Sequence, residues 1–338
     1  MGFVRLKFCL LLLLQLLFFH KGASQQLSKF MTKVFDSLYH SSVATLLNQH
    51  ISDSEPKVGD DTLLAEMCLA SQLSNDIYSH SIQDGIVICS DSKKLPECVI
   101  KLIKDELWIV LRGTMSGTDL LRDMSWMVAT PFSSSSGSSS SFSVPAGVIL
   151  QANQMTELIM QVVQKEFKNH PIRRVRLTGH SLGGSIATVI YLNLALKRQF
   201  ALPMRVYTFG APNSIAHYDR NHTSSHALAQ LEPNVLNIIY QLDVIPRLMA
   251  APHYPDYLFL SQLYGSRGIM RQASAGYRPY GRYLSARKEG ELYWVKNTTA
   301  FMGTFPPNEA HFVYSIVNDH SMSGVLRSLK RIYSKTRR

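Results

Sequence analysis

The chain has 338 residues, 46% of them apolar and 17% charged, with a formal net charge of +11. That composition supports a sizeable buried core and excludes a disordered or fibrous chain. The length fits one large α/β domain or two modest ones. The basic residues are scattered and no recognition motif accompanies them, so nucleic acid is not an expected partner.

In chain order, the N-terminus comes first as a separate object. Arg5 and Lys7 precede an apolar run from Phe8 to Phe19, broken only by Gln15, and Gly22, Ala23 and Ser24 supply small residues. This is the layout of a secretory signal peptide over residues 1–24, cleaved after Ser24. The apolar run is short for a bilayer span. Loss of Arg5, Lys7 and Lys21 takes the formal charge from +11 to +8. A secreted, basic chain favours anionic surfaces such as lipid headgroups. Residues 25–60 read as an N-terminal extension and residues 61–338 as one domain.

Residues 62–79 carry apolar side chains at helical spacing. "GIVICS" (85–90) and "ECVIKLI" (97–103) read as strands, and "LWIVLRGT" (107–114) returns as another after a turn. Cys9 leaves with the signal, and Cys68, Cys89 and Cys98 remain. Cys89 and Cys98 flank a polar, turn-like stretch and could close a small loop, although three thiols allow three pairings. Cys68 falls in the helical pattern and reads as a small buried hydrophobe. No cysteine or histidine spacing indicates a metal, and no cofactor is expected.

"SSSSGSSSSFS" (133–143) is low-complexity and reads as a flexible surface loop. Residues 148–168 read as a long helix. "RRVRLTGHS" (173–181) is a strand, "LGGSIATVIYLNLALKRQ" (182–199) a helix, and "MRVYTFGAP" (204–212) and "NVLNIIYQLDVIPRL" (234–248) are strands. "ELYWVK" (291–296) is a late strand, and "DHSMSGVLRSLKRIYS" (319–334) a closing helix. Strands alternating with helices predict a mainly parallel central sheet with helices on both faces. Asn221-His-Thr and Asn297-Thr-Thr are glycosylation sequons, which gain meaning in a secreted chain.

Gly179-His180-Ser181-Leu182-Gly183 fits G-x-S-x-G between a strand and a helix. A serine exposed on such a turn needs a strained backbone and small flanking residues. The following helix turns free N–H groups towards it. A serine hydroxyl needs a base, and the base an orienting acid, in the chain order Ser, Asp or Glu, His. Asp243 at the end of a strand and His320 before the last helix fill that order. Asp219 and Asp256 compete for the acid, and His311, His253 and His180 for the base. His180 adjoins the serine and suits a packing or hydrogen-bonding role.

These residues carry a resemblance. "VLRGT" (110–114), "DLLRD" (119–123), "GHSLGGSIA" (179–187), "TFGAPN" (208–213), "LDVIPRL" (242–248) and "DHSM" (319–322) resemble the class 3 lipases. The resemblance implies an α/β-hydrolase fold, with Ser181 as nucleophile, Asp243 as triad acid and His320 as general base. It implies an oxyanion hole from the backbone N–H groups of Thr114 and Leu182, and a carboxylate partner bracing Arg112. An amphipathic lid is implied at residues 116–132, with Leu120, Leu121, Trp126 and Met127 on its apolar face; the alternative is a helix docked permanently. The family's His-x-Gly-Phe stretch is replaced here by "VPAGVIL". The activity implied is hydrolysis of acylglycerol esters through an acyl-enzyme, at a transient membrane or lipid-droplet interface and with no obligate protein partner. A phospholipase A1 and a feruloyl-type esterase are alternatives on the same fold. A catalytically silent α/β-hydrolase acting as a binding module is a third.

Overall fold

The computed structural model describes residues 37, 39–47, 58–89, 95–113, 129–132, 142–196, 201–218, 225–248, 276–306, 311 and 314–336. The signal-peptide reading, residues 133–141 of the serine-rich segment and residues 116–128 of the lid segment lie outside them. The described ends of the last two depart from those readings: Ala129–Pro131 and Ser143–Pro145 are paired strands, and Phe132 and Phe142 are buried and stacked on each other.

Twelve strands are described: β1 (Ile86–Ile88), β2 (Cys98–Ile103), β3 (Glu106–Leu111), β4 (Ala129–Pro131), β5 (Ser143–Pro145), β6 (Arg174–His180), β7 (Met204–Phe209), β8 (Ile215–Ala216), β9 (Val235–Tyr240), β10 (Tyr277–Arg278), β11 (Arg282–Arg287) and β12 (Glu291–Trp294). The main sheet has the order β1-β2-β3-β6-β7-β9-β11-β12. Its centre, from β3 to β11, is parallel, while β1, β2 and β12 add antiparallel edges. A smaller antiparallel sheet, β10-β8-β5-β4, stands apart.

Among the described residues four long helices cover the main sheet: α1 (Asp61–Asp76), α2 (Ala146–Glu166), α3 (Leu182–Leu196) and α4 (Met322–Thr336). Residue alternation along β3 shows how they divide. Leu107, Ile109 and Leu111 pack with Met155 and Ile159 of α2 and Ile186 and Ile190 of α3. Trp108 and Val110 face the other way, onto Leu64 and Met67 of α1 and Val325 and Leu329 of α4. A strand apolar on both faces suits a parallel sheet sandwiched between helix layers. Almost every side chain of α3 is buried, which fits a helix apolar nearly all round.

Asp60 caps α1 by accepting from Thr62 N–H at 2.9 Å and Leu63 N–H at 3.1 Å. Glu66 of α1 then holds Arg176 of β6 at 3.0 Å and Arg205 of β7 at 3.1 Å. These ion pairs fix α1 onto β6, the strand that leads to Ser181, and onto β7. Residues 39–47 form a further helix, and its Tyr39, Val43 and Leu47 pack on Ile239, Leu242, Tyr283, Phe301 and Met302.

The expected strands and helices stand close to their expected positions, with three differences. The expected strand 234–248 stops at Tyr240; a turn and a short helix, Ile245–Leu248, complete the segment. Strand β11 lies in a stretch, between 248 and 291, where no element is expected from the sequence. The small sheet is built from pieces of two or three residues, too short for any periodicity to show.

The turn from β6 into α3 forces close contact. Ser181 adopts φ +55°. A Cβ at Gly179 would stand 2.5 Å from the Gly183 carbonyl carbon, and one at Gly183 would stand 2.4 Å from the Leu111 carbonyl oxygen. Gly183→Val is expected to overpack this crossing by about 1–3 kcal/mol and to lower the thermal midpoint by roughly 2–10 °C. A midpoint equal to wild type in a melting experiment would contradict the close seating of α3 on β3.

Candidate active site

Strands β6, β7 and β9 run parallel and end at one edge of the sheet, where three loops converge. Ser181 follows β6, Asp243 follows β9, and His320 precedes α4. His320 Nε2 lies 2.9 Å from Ser181 Oγ. Its Nδ1 lies 3.0 and 2.9 Å from the two oxygens of Asp243. Ser181, Asp243 and His320 are 1%, 2% and 7% exposed. In this arrangement Nδ1–H donates to the carboxylate and Nε2 accepts the serine hydroxyl proton.

Each member is held by its own surroundings. Ser181 N–H donates to Phe209 O at 2.9 Å, tying the turn to β7. Asp243 Oδ1 accepts Ile245 N–H at 3.0 Å. Arg247 is fully buried. Its guanidinium donates to the carbonyls of Asp243 at 3.0 Å, of Gln241 at 3.3 Å and of Phe301, and lies over the Phe301 ring. Burial lowers its pKa to about 10, so the side chain still carries its charge at neutral pH beside Asp243. Gly210, at φ +59°, is the seat of the pair: a Cβ there would stand 2.3 Å from Asp243 Oδ2 and 3.1 Å from His320 Nδ1.

Both ring nitrogens of His180 are engaged away from Ser181 Oγ. Its Nε2–H donates to the His320 carbonyl at 2.8 Å, and Tyr78 O–H donates to its Nδ1 at 2.9 Å. Burial, together with the neighbouring His320, lowers its pKa to about 3, which keeps the ring neutral. The Tyr78 phenol also takes a hydrogen bond from the backbone of Gly113, and burial raises its pKa to about 12. Tyr78 therefore joins the loop after β3 to the residue before Ser181 and, through the His180 ring, to the carbonyl of His320.

Leu182 is the first residue of α3, so its N–H has no intrahelical acceptor and faces the serine end of the helix. Thr114 lies outside the described residues, as do Leu120, Leu121, Trp126 and Met127. The residue before Thr114 is in place: a Cβ on Gly113 would stand 3.2 Å from Ser181 Cβ. Arg112 donates to Glu97 Oε2 at 2.9 Å, and its N–H to the Glu97 carbonyl at 2.9 Å. Glu97 also meets His80 at 3.0 Å.

Among the rivals, Asp219, Asp256 and His253 are outside the described residues, and the ring of His311 lies 5.2 Å from that of Tyr39. Cys68, Cys89 and Cys98 are free thiols in this structure. Cys89 and Cys98 sit near each other at the β1–β2 edge, and burial raises the pKa of both thiols. Asn221 is outside the described residues; Asn297 is exposed and caps the helix Thr298–Met302, its Oδ1 accepting Ala300 N–H at 3.0 Å. Among the described residues no group of three or more His, Cys, Asp or Glu could hold a metal ion. Gly210, Tyr78, Glu97 and Asp319 were missing from the expected site. Gly210 and Asp319 lie inside quoted motifs, but their roles depend on long-range contacts.

An unfolded histidine binds its proton below about 6.5, whereas folded His180 stays neutral down to about 3. Unfolding in that window takes up a proton, so this group makes stability fall as the pH drops from about 6.5 towards 3. In His180→Gln the acid-side slope of unfolding free energy against pH is expected to be shallower by about one proton. An unchanged slope in denaturant titrations would contradict a buried neutral ring.

Residues 108–253 match the family described as lipase (class 3), a span that includes Ser181 and Asp243 and stops before His320. The fold is similar to that of the Rhizomucor miehei lipase propeptide complex, with TM-score 0.52 and 18% identity, covering 80% of this chain and 87% of that one. It is similar to a triacylglycerol lipase from Penicillium expansum, with TM-score 0.53 and 16% identity, covering 75% and 93%. A lipase from Rhizopus microsporus var. chinensis gives TM-score 0.50 and 19% identity, covering 80% and 87%. At these identities the likeness is one of fold. The chain thus has an α/β-hydrolase fold and a region, residues 108–253, that matches the class 3 lipase family.

Proposed function

We propose that the protein is a secreted serine hydrolase that cleaves carboxyl esters of acylglycerols. The observation that carries this reading is the placement of His320, within hydrogen-bond distance of Ser181 on one side and Asp243 on the other. Ser181 Oγ attacks the ester carbonyl carbon while His320 Nε2 takes its proton. The carbonyl oxygen becomes an oxyanion held by the N–H groups of Leu182 and Thr114. Loss of one such donor costs about 3 kcal/mol of transition-state stabilisation. The tetrahedral intermediate collapses, the ester C–O bond breaks, and the leaving alkoxide takes the proton from Nε2. Water activated by the same nitrogen then attacks the acyl-enzyme and releases the fatty acid and Ser181.

The class 3 lipase region supports a lipid ester as substrate. Closure by residues 116–128 over the site, opening at a lipid surface, belongs to the same proposal; Trp126 suits an interface. No described helix is long and apolar enough to cross a membrane. Secretion rests on the layout of residues 1–24 and the sequons Asn221 and Asn297. The Oδ1 cap at Asn297 leaves Nδ2, the atom a glycan bonds, outside that contact. Closure of a Cys89–Cys98 disulfide in the oxidising pathway is part of the proposal.

The experiment is a substrate panel on purified mature protein: a triacylglycerol, phosphatidylcholine and a feruloyl ester, each with Ser181→Ala alongside. The triacylglycerol is expected to be cleaved fastest, with activity climbing above its solubility limit and falling by about 10⁴-fold or more in Ser181→Ala. Faster cleavage of phosphatidylcholine or of the feruloyl ester would replace the acylglycerol assignment. Turnover that survives Ser181→Ala would overturn the mechanism.

A further inference from the structure

The proposed chemistry uses Ser181, His320 and Asp243 but gives no role to the carboxyl beside them in sequence. Asp319 is buried, immediately before His320. Its Oδ2 accepts a hydrogen bond from Tyr39 O–H and another from Leu242 N–H at 3.3 Å. Leu242 is the residue immediately before Asp243. One carboxyl oxygen therefore ties the neighbour of the base to the neighbour of the acid, across two loops that share no strand pairing. Ser315 adds a second tie, its Oγ donating to the Leu242 carbonyl at 2.8 Å.

Tyr39 reaches this point from the N-terminal helix, well outside the matched lipase region. It is fully buried, and its ring packs at 4.3 Å from that of Tyr314, just before the π-helical turn Ser315–Asp319. Val43 and Leu47 of the same helix seat it against Leu242 and Phe301. Neither Tyr39 nor Asp319 touches Ser181.

We infer that Tyr39 and Asp319 are positioning residues that hold His320 and Asp243 in register, making the helix at 39–47 a working part of the active site. This rests on the proposed triad. Burial, and the nearby charge of Asp243, raise the Asp319 pKa to about 8. At neutral pH the Asp319 side chain is a neutral carboxyl. Asparagine is then its conservative replacement, keeping an oxygen acceptor of the same shape.

The test measures kcat, KM and thermal midpoint with a soluble ester, p-nitrophenyl butyrate, at pH 7 on the full mature chain. Four variants are compared: Tyr39→Phe, Asp319→Asn, Asp319→Leu and, as control, Ser181→Ala. Tyr39→Phe and Asp319→Leu are expected to lose about tenfold or more in kcat with KM within twofold, as for groups that act only in reaching the transition state. Asp319→Asn is expected to keep kcat within about threefold. If Asp319→Leu fails to fold, Tyr39→Phe, which removes one hydroxyl, carries the comparison. Wild-type kcat in Tyr39→Phe, or a change confined to the midpoint or to KM, would overturn the inference while leaving the triad intact. Hydrolysis that persists in Ser181→Ala would instead remove the triad on which it rests.

Discussion

A neutral imidazole takes a proton from a serine hydroxyl only when its other nitrogen carries a hydrogen that an acceptor fixes in place. His320 meets that condition with Ser181 2.9 Å from one nitrogen and Asp243 2.9 and 3.0 Å from the other. The three side chains come from loops after β6, after β9 and before α4. Nothing local in the chain brings them together. The parallel order of β6, β7 and β9 does, because parallel strands deliver successive loops to the same edge.

The demands of that meeting reach outward. A carboxyl group taken out of water is costly unless polar partners face it, and the Ile245 N–H and the nearby Arg247 guanidinium face Asp243. Gly210 leaves room for the pair. Tyr78 and His180 fasten the His320 carbonyl to the nucleophile turn. Arg112 is fastened to Glu97, which keeps the strand leading to Thr114 in line. The backbone strain at Ser181, φ +55°, is sustained because helix α3 and strands β3 and β7 leave the turn no alternative path.

Much of this frame was legible in the residues. The apolar runs of β3, β6, β7 and β9 mark buried parallel strands, and the glycines around Ser181 mark the sharp turn. Asp243 and His320 stood out because each ends or begins an element at the right place in the order. Other parts had no local signature. Strand β11, "RYLSAR", has adjacent apolar residues at Tyr283 and Leu284 and no alternation, and is recognisable only once β9 is beside it. Tyr39 and Asp319 are separated by 280 positions, and Tyr78 and His180 by 102. A tyrosine on a helical apolar face reads as core until its hydroxyl partner is known. Arg247 lies in the quoted "LDVIPRL" stretch with nothing local to mark a role, although its guanidinium is enclosed among three carbonyls.

The central claim is that His320 activates Ser181, and covalent capture tests it most directly. Purified protein treated with a fluorophosphonate and digested for mass spectrometry should carry one adduct, on the peptide containing Ser181. The adduct should be lost in Ser181→Ala and should form far more slowly in His320→Gln. A folded protein that takes up no label, or one whose label sits on another residue and survives Ser181→Ala, would contradict the account.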